Sequence, residues 1–387
     1  MPVINRVMEF ADEVAAWRRH LHQNPEIGFD VHGTAGFVAE RLREFGCDRV
    51  ETGIGRTGVV GLIRGTRGDG PVVGLRADMD ALPMDEETGL PHASRVAGRM
   101  HACGHDGHTA MLLGAAKYLA ETRNFRGAVA VIFQPAEEEG AGGEKMVADG
   151  MMERFDIAEV YGMHTLPGLP VGAFATRPGP IMGATDEFVL TIRGRGGHAA
   201  SPHETIDPII VGTQLVGALQ TIAARNTDPL ESVVVTVTQF HAGSAMNVIP
   251  DMATVAGTIR TLTAETRDMA VQRLKEIAGG VAMTHGCAIS VEHERGYPVT
   301  VNHAGETGHA VAAARAVAGD QAVIADMPPT LGAEDFSYML QARPGAFIYL
   351  GNGDTAGLHH PKFDFDDAAI PAGVSYWAGL VHARLGG

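Results

Sequence analysis

Hydrophobic positions in the first part of the chain switch between two periods. Apolar residues recur at helical spacing in three segments, which predict helices at 6–22, 31–45 and 108–119. Short apolar runs rich in β-branched residues predict buried strands at 59–63, 72–76 and 128–133. Strands that alternate with helices in this way predict an α/β domain with a mainly parallel central sheet.

The middle of the chain follows a different plan. Four segments alternate apolar and polar residues, which predicts strands at 187–192, 232–240, 252–260 and 288–293. Two helical patterns lie between them, at 207–224 and 264–283. The resulting β-α-β-β-α-β order is the split βαβ plan of ferredoxin-like domains. We therefore expect an α+β domain over 181–294, inserted into a discontinuous catalytic domain made of 1–180 and 295–387.

Composition narrows the class of protein. The chain of 387 residues is long enough for two domains, and its formal charge of −16 disfavours nucleic acid and anionic membranes as partners. The first residues show no secretory signal, and no apolar run approaches the roughly 18 residues of a membrane span. Three widely separated cysteines, Cys47, Cys103 and Cys287, are no disulfide framework, so we expect a cytoplasmic protein.

The segment MHACGHDGH, residues 100–108, concentrates groups that bind metals. Cys103 and His105 are the best candidate ligands, whereas Asp106 and His108 can support them or form the first turn of the next helix. A structural zinc site would need a second CxxC or HxxxH pair, which the chain lacks. A nucleophilic Cys103 is the other alternative, but it leaves the acidic segments described next without a role.

Acidic residues follow two of the predicted strands. Asp78 and Asp80 come directly after the strand 72–76, where a carboxylate can orient a ligand histidine or merely cap a turn. Glu137 and Glu138 follow the strand 128–133. Adjacent side chains at such a turn point in different directions, so one can bind metal while the other acts as a base. An acidic solvated loop is the simpler alternative.

Two further segments offer histidines. His164 follows an apolar run at 157–163, where it can be a ligand or a core residue. His359 and His360 precede Pro361 in GLHHPKFDF, and only one of this pair is expected to reach a given ion. Together with the earlier segments, these residues favour metal-assisted hydrolysis.

The sequence resembles a known family, the amidohydrolases of the aminoacylase/hippurate hydrolase group. That group includes bacterial N-acyl-amino-acid hydrolases and plant hydrolases of indole-acetyl amino acids. The resemblance rests on eight segments in family order: RRHLHQNPEIGF (18–29), LRADMDALP (75–83), MHACGHDGHTA (100–110), FQPAEEEGAGG (133–143), GRGGHAASPH (194–203), MNVIPD (246–251), GAEDFSY (332–338) and LHHPKFDF (358–365).

The resemblance implies a zinc-peptidase-like catalytic domain that binds two divalent ions, zinc or manganese, and a smaller lid domain that forms a homodimer or higher homo-oligomer. The implied ligands are Cys103, His105, Glu138, His164 and His359. The other implied roles are Glu137 as general base, Asp80 as an orienting carboxylate, His198 as an oxyanion donor, and Asn247 and Arg260 as contacts to the substrate carboxylate. His359 is chosen because it aligns with the LHxP histidine of the family. Asp78 stands where related metallopeptidases place a ligand histidine, so its membership of the ligand set stays open.

The predicted activity is hydrolysis of N-acyl-L-amino acids, small-molecule substrates, to a carboxylic acid and a free amino acid. Three alternatives stay open: a metallo-carboxypeptidase or dipeptidase, an enzyme like N-acetyldiaminopimelate deacetylase, and a metal-dependent binding protein with a degenerate site. The acyl group, the amino-acid side chain and the native metal are not predicted.

Overall fold

Sixteen strands and eleven α-helices are present among residues 3–386, the part of the chain that the computed structural model describes. The strands are β1 (Arg49–Ile54), β2 (Gly58–Arg64), β3 (Val72–Asp78), β4 (Ala128–Gln134), β5 (Ile157–Leu166), β6 (Phe174–Ala175), β7 (Gly179–Met182), β8 (Ala184–Arg193), β9 (Gly197–His198), β10 (Val233–Ala242), β11 (Val248–Ile249), β12 (Met252–Thr261), β13 (Ala288–Arg295), β14 (Thr300–Asn302), β15 (Val323–Ile324) and β16 (Gly345–Gly351). The helices are α1 (Asn5–Glu9), α2 (Ala11–Gln23), α3 (His32–Glu44), α4 (His105–Thr122), α5 (Gly142–Ala148), α6 (Met151–Arg154), α7 (Pro208–Leu219), α8 (Ala264–His285), α9 (Ala304–Ala318), α10 (Phe336–Ala342) and α11 (Ile370–Leu385).

The chain divides into two units. Unit 1 comprises Met1–Ile181, Val301–Pro328 and Asp335–Gly387. Unit 2 comprises Met182–Thr300 and Pro329–Glu334. No helix within residues 3–386 has both the length and the apolar character that crossing a membrane requires.

Unit 1 contains an eight-stranded mixed sheet in the order β1-β2-β4-β3-β5-β16-β6-β15. The four central strands, β4, β3, β5 and β16, run parallel to one another. The pairs β1/β2, β2/β4 and β16/β6 are antiparallel. The edge pair β15/β6 is again parallel. The sheet is therefore mixed, with parallel pairs in the majority, in agreement with the prediction of a mainly parallel sheet. β1 and β2 are joined by a short turn, and a connection that short can link only antiparallel strands.

Helix α4 packs beside this sheet and starts inside the ligand-rich segment 100–108. It begins at His105, earlier than the predicted start at 108. Gly104, just before it, has φ +89°, a conformation that favours glycine. A Cβ at Gly104 would lie 2.6 Å from Cγ2 of Thr165, so the chain approaches β5 more closely there than any side chain would permit.

Two predicted helices differ from those observed. The segment predicted as one helix over 6–22 forms α1 and α2, which are separated at Phe10 (φ −118°, ψ 14°). Asp12 and Glu13 lie in the first turn of α2, where acidic residues favour a helix start. The helix predicted over 207–224 ends as α7 at Leu219 and is followed by a π-helical turn, Ile222–Asn226.

The main sheet of unit 2 and its two helices follow one another as β8-α7-β10-β12-α8-β13, with the sheet order β10-β12-β8-β13, and β9 and β11 form a separate two-stranded sheet. All three strand pairs of the main sheet are antiparallel. Buried apolar residues of the sheet pack with those of α7 and α8, among them Phe188, Leu190, Leu215, Val255 and Leu274. This β-α-β-β-α-β order is the one expected from the alternating patterns of the sequence.

Candidate metal centre

Three neighbouring parallel strands of unit 1 carry the acidic and imidazole side chains. β3 ends at Asp78, Glu137 follows the end of β4 by three residues, and His164 lies two residues before the end of β5. In the register, Arg76 pairs with Gly162, so Asp78 and His164 lie at the same level. The carboxyl ends of parallel strands meet at one sheet edge, which is where α/β folds bind ligands.

Five of the sequence-predicted ligands come together at this edge. Cys103, His105 and His164 can offer one atom each to a single ion, and so can Cys103, Glu138 and His359. The atoms of each group lie within 4.8 Å of one another. Because Cys103 belongs to both groups, the two groups form one continuous cluster.

The distances between ligand atoms suit a small divalent cation. Sγ of Cys103 lies 3.4 Å from Nε2 of His164, and Oε1 of Glu138 lies 3.4 Å from Nε2 of His359. Nε2 of His105 lies 3.9 Å from the same Glu138 oxygen. Two atoms that each sit about 2.0–2.3 Å from one ion are separated by distances of this size.

The ring orientation of the histidines supports a metal. Nδ1 of His105 donates to the carbonyl of Asp80 at 2.8 Å, and the buried Nε2 has no hydrogen-bond partner. Nδ1 of His164 donates to the carbonyl of Thr165 at 2.6 Å, which directs Nε2 toward Cys103. Ligand histidines usually have one nitrogen held by a backbone or carboxylate oxygen and the other on the metal. The residues present therefore fit divalent ions.

The charges of the cluster also call for a cation. Burial opposes a charged His105, but the surrounding carboxylates, Asp78 first, outweigh burial and raise the pKa of His105 to about 10. Burial, followed by Glu138, raises the pKa of the Cys103 thiol well above its usual range. Burial lowers the pKa of His164 well below its usual value, which leaves that ring neutral. A bound cation favours the thiolate and the neutral imidazole over these protonated forms.

Asp80 organises both glutamates and one histidine. Its Oδ1 accepts the amide N–H of Glu137 at 2.9 Å, and its Oδ2 accepts the amide N–H of Glu138 at 3.1 Å. Its carbonyl accepts the hydrogen bond from His105. Ala136, just before the glutamates, has φ +53° and turns the chain so that both amides face this carboxylate. Asp80 thus touches three neighbours of the cluster without belonging to any of the candidate donor groups among the described residues.

Asp78 has both carboxylate oxygens engaged by other residues. Oδ1 lies 2.7 Å from Nδ1 of His108, and Oδ2 accepts from Arg76 at 2.7 Å. Burial opposes ionisation of Asp78, but His105 and Arg76 outweigh it and hold the pKa of the carboxyl well below its usual range. This geometry favours a supporting carboxylate over a metal ligand.

The two histidines before Pro361 differ in position. His359 adopts φ +61° and lies next to Glu138, as described above. Both residues are exposed, and Nδ1 of His360 accepts the amide N–H of Lys362 at 3.0 Å. Of the pair, only His359 belongs to a candidate donor group within residues 3–386.

The remaining predicted site residues belong to unit 2. β9 pairs with β11 so that His198 faces Val248, and the amide of Ala199 donates to the carbonyl of Asn247 at 3.0 Å. The amide of Ala200 donates to Nδ1 of His198 at 3.1 Å, so the ring proton resides on Nε2. Arg260 lies on β12, half-buried, next to the buried Ile259 and therefore on the opposite sheet face from it.

A buried polar group next to the cluster was not predicted. Nδ1 of His22 lies 2.8 Å from Asp106, and Arg18 lies 3.8 Å from the same carboxylate. Asp106 follows His105 in α4. Arg18 and His22 both lie in RRHLHQNPEIGF, the first of the segments that carry the family resemblance. The sequence analysis assigned neither residue a role.

An α/β unit with thiolate, imidazole and carboxylate donors at the carboxyl edge of its sheet has the construction of a metal-dependent hydrolase. The comparisons with known proteins agree. The model of the peptidase family M20/M25/M40 matches residues 74–383, and the chain belongs to this family. The prediction of a di-metal amidohydrolase family is thereby confirmed.

Three relatives illustrate the similarity. A hippurate hydrolase of Campylobacter jejuni is 39% identical over 380 residues, 98% of each chain. Thermostable carboxypeptidase 2 of Saccharolobus solfataricus is 40% identical over 391 residues, 98% of this chain and 96% of the relative. The crystal structure of a dinuclear metal-binding M20 peptidase from Bacillus subtilis has a TM-score of 0.84 and 35% identity, and it covers 97% of this chain and 98% of that chain.

Proposed function

We propose that this chain is a metal-dependent amidohydrolase that cleaves the amide bond of N-acyl-L-amino acids to a carboxylic acid and a free amino acid. The observation that carries the proposal is the Cys103-centred cluster with Glu137 and Glu138 anchored beside it on Asp80. Full-length similarity to a hippurate hydrolase, whose name denotes cleavage of an N-acyl amino acid, supports the substrate class.

Two divalent ions, zinc or manganese, are assigned to Cys103, His105, Glu138, His164 and His359. The dinuclear relative of known structure and the two donor groups that share Cys103 support this number. When bound, such ions lower the pKa of water toward about 7 and polarise the scissile carbonyl.

Glu137 is the proposed general base. Its side chain is 6% exposed, and one of its oxygens lies within 4.8 Å of donor atoms of His105 and Glu138. Asp80 fixes its backbone, so the carboxylate stands beside the donor cluster while its neighbour Glu138 serves as a ligand. In this role Glu137 accepts a proton from the attacking water and delivers it to the leaving amide nitrogen.

Unit 2 is proposed as a lid that recognises the substrate. His198 has its proton on Nε2, away from the bond to Ala200, so that nitrogen can donate to a developing oxyanion. Arg260 and Asn247 are assigned to the substrate carboxylate, for which a guanidinium is well suited. On this proposal, residues 1–180 and 295–387 form the catalytic domain and 181–294 form the lid and dimerisation domain.

Dimerisation is proposed through the β10 edge of the unit 2 sheet. Among residues 3–386, β10 and β13 are the two edge strands of this sheet, and the second half of β10 is exposed. Phe240, Met246 and Val248, on and just after this strand, are exposed apolar residues. An unpaired strand edge with apolar neighbours is suited to pairing with a second copy. Light scattering of the purified protein tests this: a monomer at micromolar concentration would refute it. A cytoplasmic location also stays a proposal, based on three free cysteines.

A metallo-carboxypeptidase is the second candidate, because a carboxypeptidase relative is as similar as the hippurate hydrolase. The decisive experiment compares N-benzoyl and N-acetyl amino acids with peptides that have a free amino group. It is run after chelation and after readdition of zinc or manganese. We expect metal-dependent cleavage of the acylated substrates, with peptides cleaved more slowly. Preference for the peptides would support the carboxypeptidase, and a metal-loaded protein inactive on both sets would refute hydrolysis of these amides.

A further inference from the structure

The ring of His108 makes a hydrogen bond at each nitrogen, and both are short. His108 is buried in the first turns of α4, 1% exposed. Its Nε2 is 2.8 Å from the amide nitrogen of Thr165, and its Nδ1 is 2.7 Å from Oδ1 of Asp78. By distance alone, Asp78, His105 and His108 could also hold one ion. The hydrogen bonds decide between the two possibilities.

The direction of these bonds determines the tautomer. A backbone N–H can only donate, so Nε2 of His108 accepts from Thr165 and carries no proton. The proton of the neutral ring must then be on Nδ1, where it is donated to Asp78. No ring nitrogen remains for a metal. In His105, by contrast, the buried Nε2 has no hydrogen-bond partner and is available to a metal.

Thr165 connects His108 to the donor cluster. Its amide is held by His108, while its carbonyl accepts the Nδ1 proton of His164, the proposed ligand. The His108 and His164 rings also pack together, with centroids 4.5 Å apart. The orientation of His164 therefore depends on Thr165, and His108 on α4 holds Thr165 in place.

The other end of this connection is anchored firmly. Asp78 accepts from Arg76 at 2.7 Å, and Arg76 in turn donates to Gln134 at 2.9 Å and to Asp335 at 3.0 Å. All four side chains are buried. A buried, hydrogen-bonded network of this kind is rigid. It fixes the carboxylate of Asp78, and that carboxylate holds the ring of His108 in place.

We propose that His108 is a positioning residue that holds the amide of Thr165 and thereby orients His164 toward the metal, and that it does not bind metal itself. The inference rests on the proposed function in one respect, namely that His164 is a ligand.

Two substitutions separate the two bonds of the ring. In His108→Asn the side-chain amide nitrogen replaces Nδ1 and can still donate to Asp78, but nothing reaches Thr165. In His108→Gln the side-chain oxygen replaces Nε2 and can still accept from Thr165. Thr109→Val is the matched control, because Thr109 lies on the same helix turn and its hydroxyl donates to the carbonyl of Asp78 at 2.7 Å.

The experiment measures metal stoichiometry and zinc affinity of full-length wild type and the three variants, by elemental analysis and competition with a chelating dye. The spectrum of the cobalt-loaded proteins provides a second readout of ligand geometry. We expect His108→Asn to weaken binding of one of the two ions by about 10–100-fold, the usual effect of losing a partner behind a ligand, with an altered cobalt spectrum. His108→Gln should retain most of the affinity, and Thr109→Val should lower only the melting temperature.

Three results would overturn the proposal. Loss of one ion in both His108 variants alike would make His108 a ligand. Unchanged affinity in His108→Asn with a lower melting temperature would make its role purely structural, and so would an equal loss in Thr109→Val. Hydrolysis of N-benzoylglycine is measured on the same wild-type sample. If wild type binds two ions but is inactive, the proposed function fails and this inference stands, whereas a folded wild type that binds no divalent ion refutes both.

Discussion

Replacement of Asp80 tests how the site is held together. Its carboxylate accepts one amide hydrogen bond from Glu137 and one from Glu138, at 2.9 and 3.1 Å. Hydrogen bonds to a charged group contribute about 1.5–3 kcal/mol each. Asp80→Asn keeps one accepting oxygen and loses one bond, about 1.5–3 kcal/mol, whereas Asp80→Ala loses both, about 3–6 kcal/mol.

If the two hydrogen bonds position the base Glu137 and the ligand Glu138 for the reaction, the free energy lost with them appears as a lower kcat. At 1.36 kcal/mol for each factor of ten, kcat should fall about 10–100-fold in Asp80→Asn and about 100–10,000-fold in Asp80→Ala. Because one of the two amides belongs to the proposed ligand Glu138, metal affinity should fall as well. The carbonyl of Asp80 is unchanged by either substitution, so His105 should keep its orientation.

The assay follows kcat and KM on N-benzoylglycine together with metal content. Glu26 offers a matched control, because its two carboxylate oxygens accept the consecutive amides of Gly33 and Thr34 at 3.0 and 2.7 Å. Glu26→Ala therefore removes the same kind of double bond and should affect stability but not kcat. The reasoning is refuted if Asp80→Ala retains kcat within a factor of about three, or if Glu26→Ala loses as much activity as Asp80→Ala.

Four further predictions concern single residues. Glu137→Gln should lower kcat by about 100–10,000-fold with metal content intact, as expected for a general base; loss of metal in this variant would point to a ligand instead. His198→Ala should lower kcat by about 100-fold, because an oxyanion donor contributes about 3 kcal/mol, and His198→Gln should recover part of it through its amide N–H. Identical losses in the two variants would exclude a donor role. Arg260→Met should raise KM about 10–100-fold for N-acyl amino acids but not for their carboxamides, as expected when a charged hydrogen bond of about 1.5–3 kcal/mol is lost; a uniform effect on both substrates would contradict carboxylate recognition. Burial opposes protonation of His22, but Asp106 and a second carboxylate outweigh it and raise the pKa of His22 to about 9, compared with 6.5 for the free side chain. The charged form therefore stabilises the fold fully below pH 6.5, and this contribution, up to about 3 kcal/mol, is lost as the pH rises to 9. Urea unfolding at pH 6 and pH 9.5 should show a smaller drop in His22→Gln than in wild type, and equal drops would refute the assignment.

The sequence predicts the location of the site better than its internal contacts. Ligand chemistry is concentrated in short segments of the chain, so Cys103, Glu138 and His164 could be named as candidate ligands. β3 and β4, two of the strands that carry the site, are predicted from short apolar runs rich in β-branched residues. The break at Phe10 lacks a proline or glycine, and the helical spacing of apolar residues continues across it. Only the acidic first turn of α2 marks that break in the sequence.

The contacts within the site depend on tertiary structure that no local pattern encodes. The resemblance implied that Asp80 orients a metal ligand, but its carbonyl makes the bond to His105 and its carboxylate bonds two amides. The second arrangement requires the positive φ of Ala136, which alanine rarely adopts and which no pattern predicts. The bond between His108 and Thr165 joins residues 57 positions apart.

The strand order explains why one short segment can organise the whole cluster. β3 lies between β4 and β5, so residues at its carboxyl end have a neighbour on each side. Asp80 bonds the glutamates that follow β4, whereas Asp78, through His108, holds the peptide at the end of β5. The two aspartates of LRADMDALP thus support the two sides of the donor cluster separately. It follows that Asp80 substitutions should disturb the glutamates first and His108 substitutions should disturb His164 first.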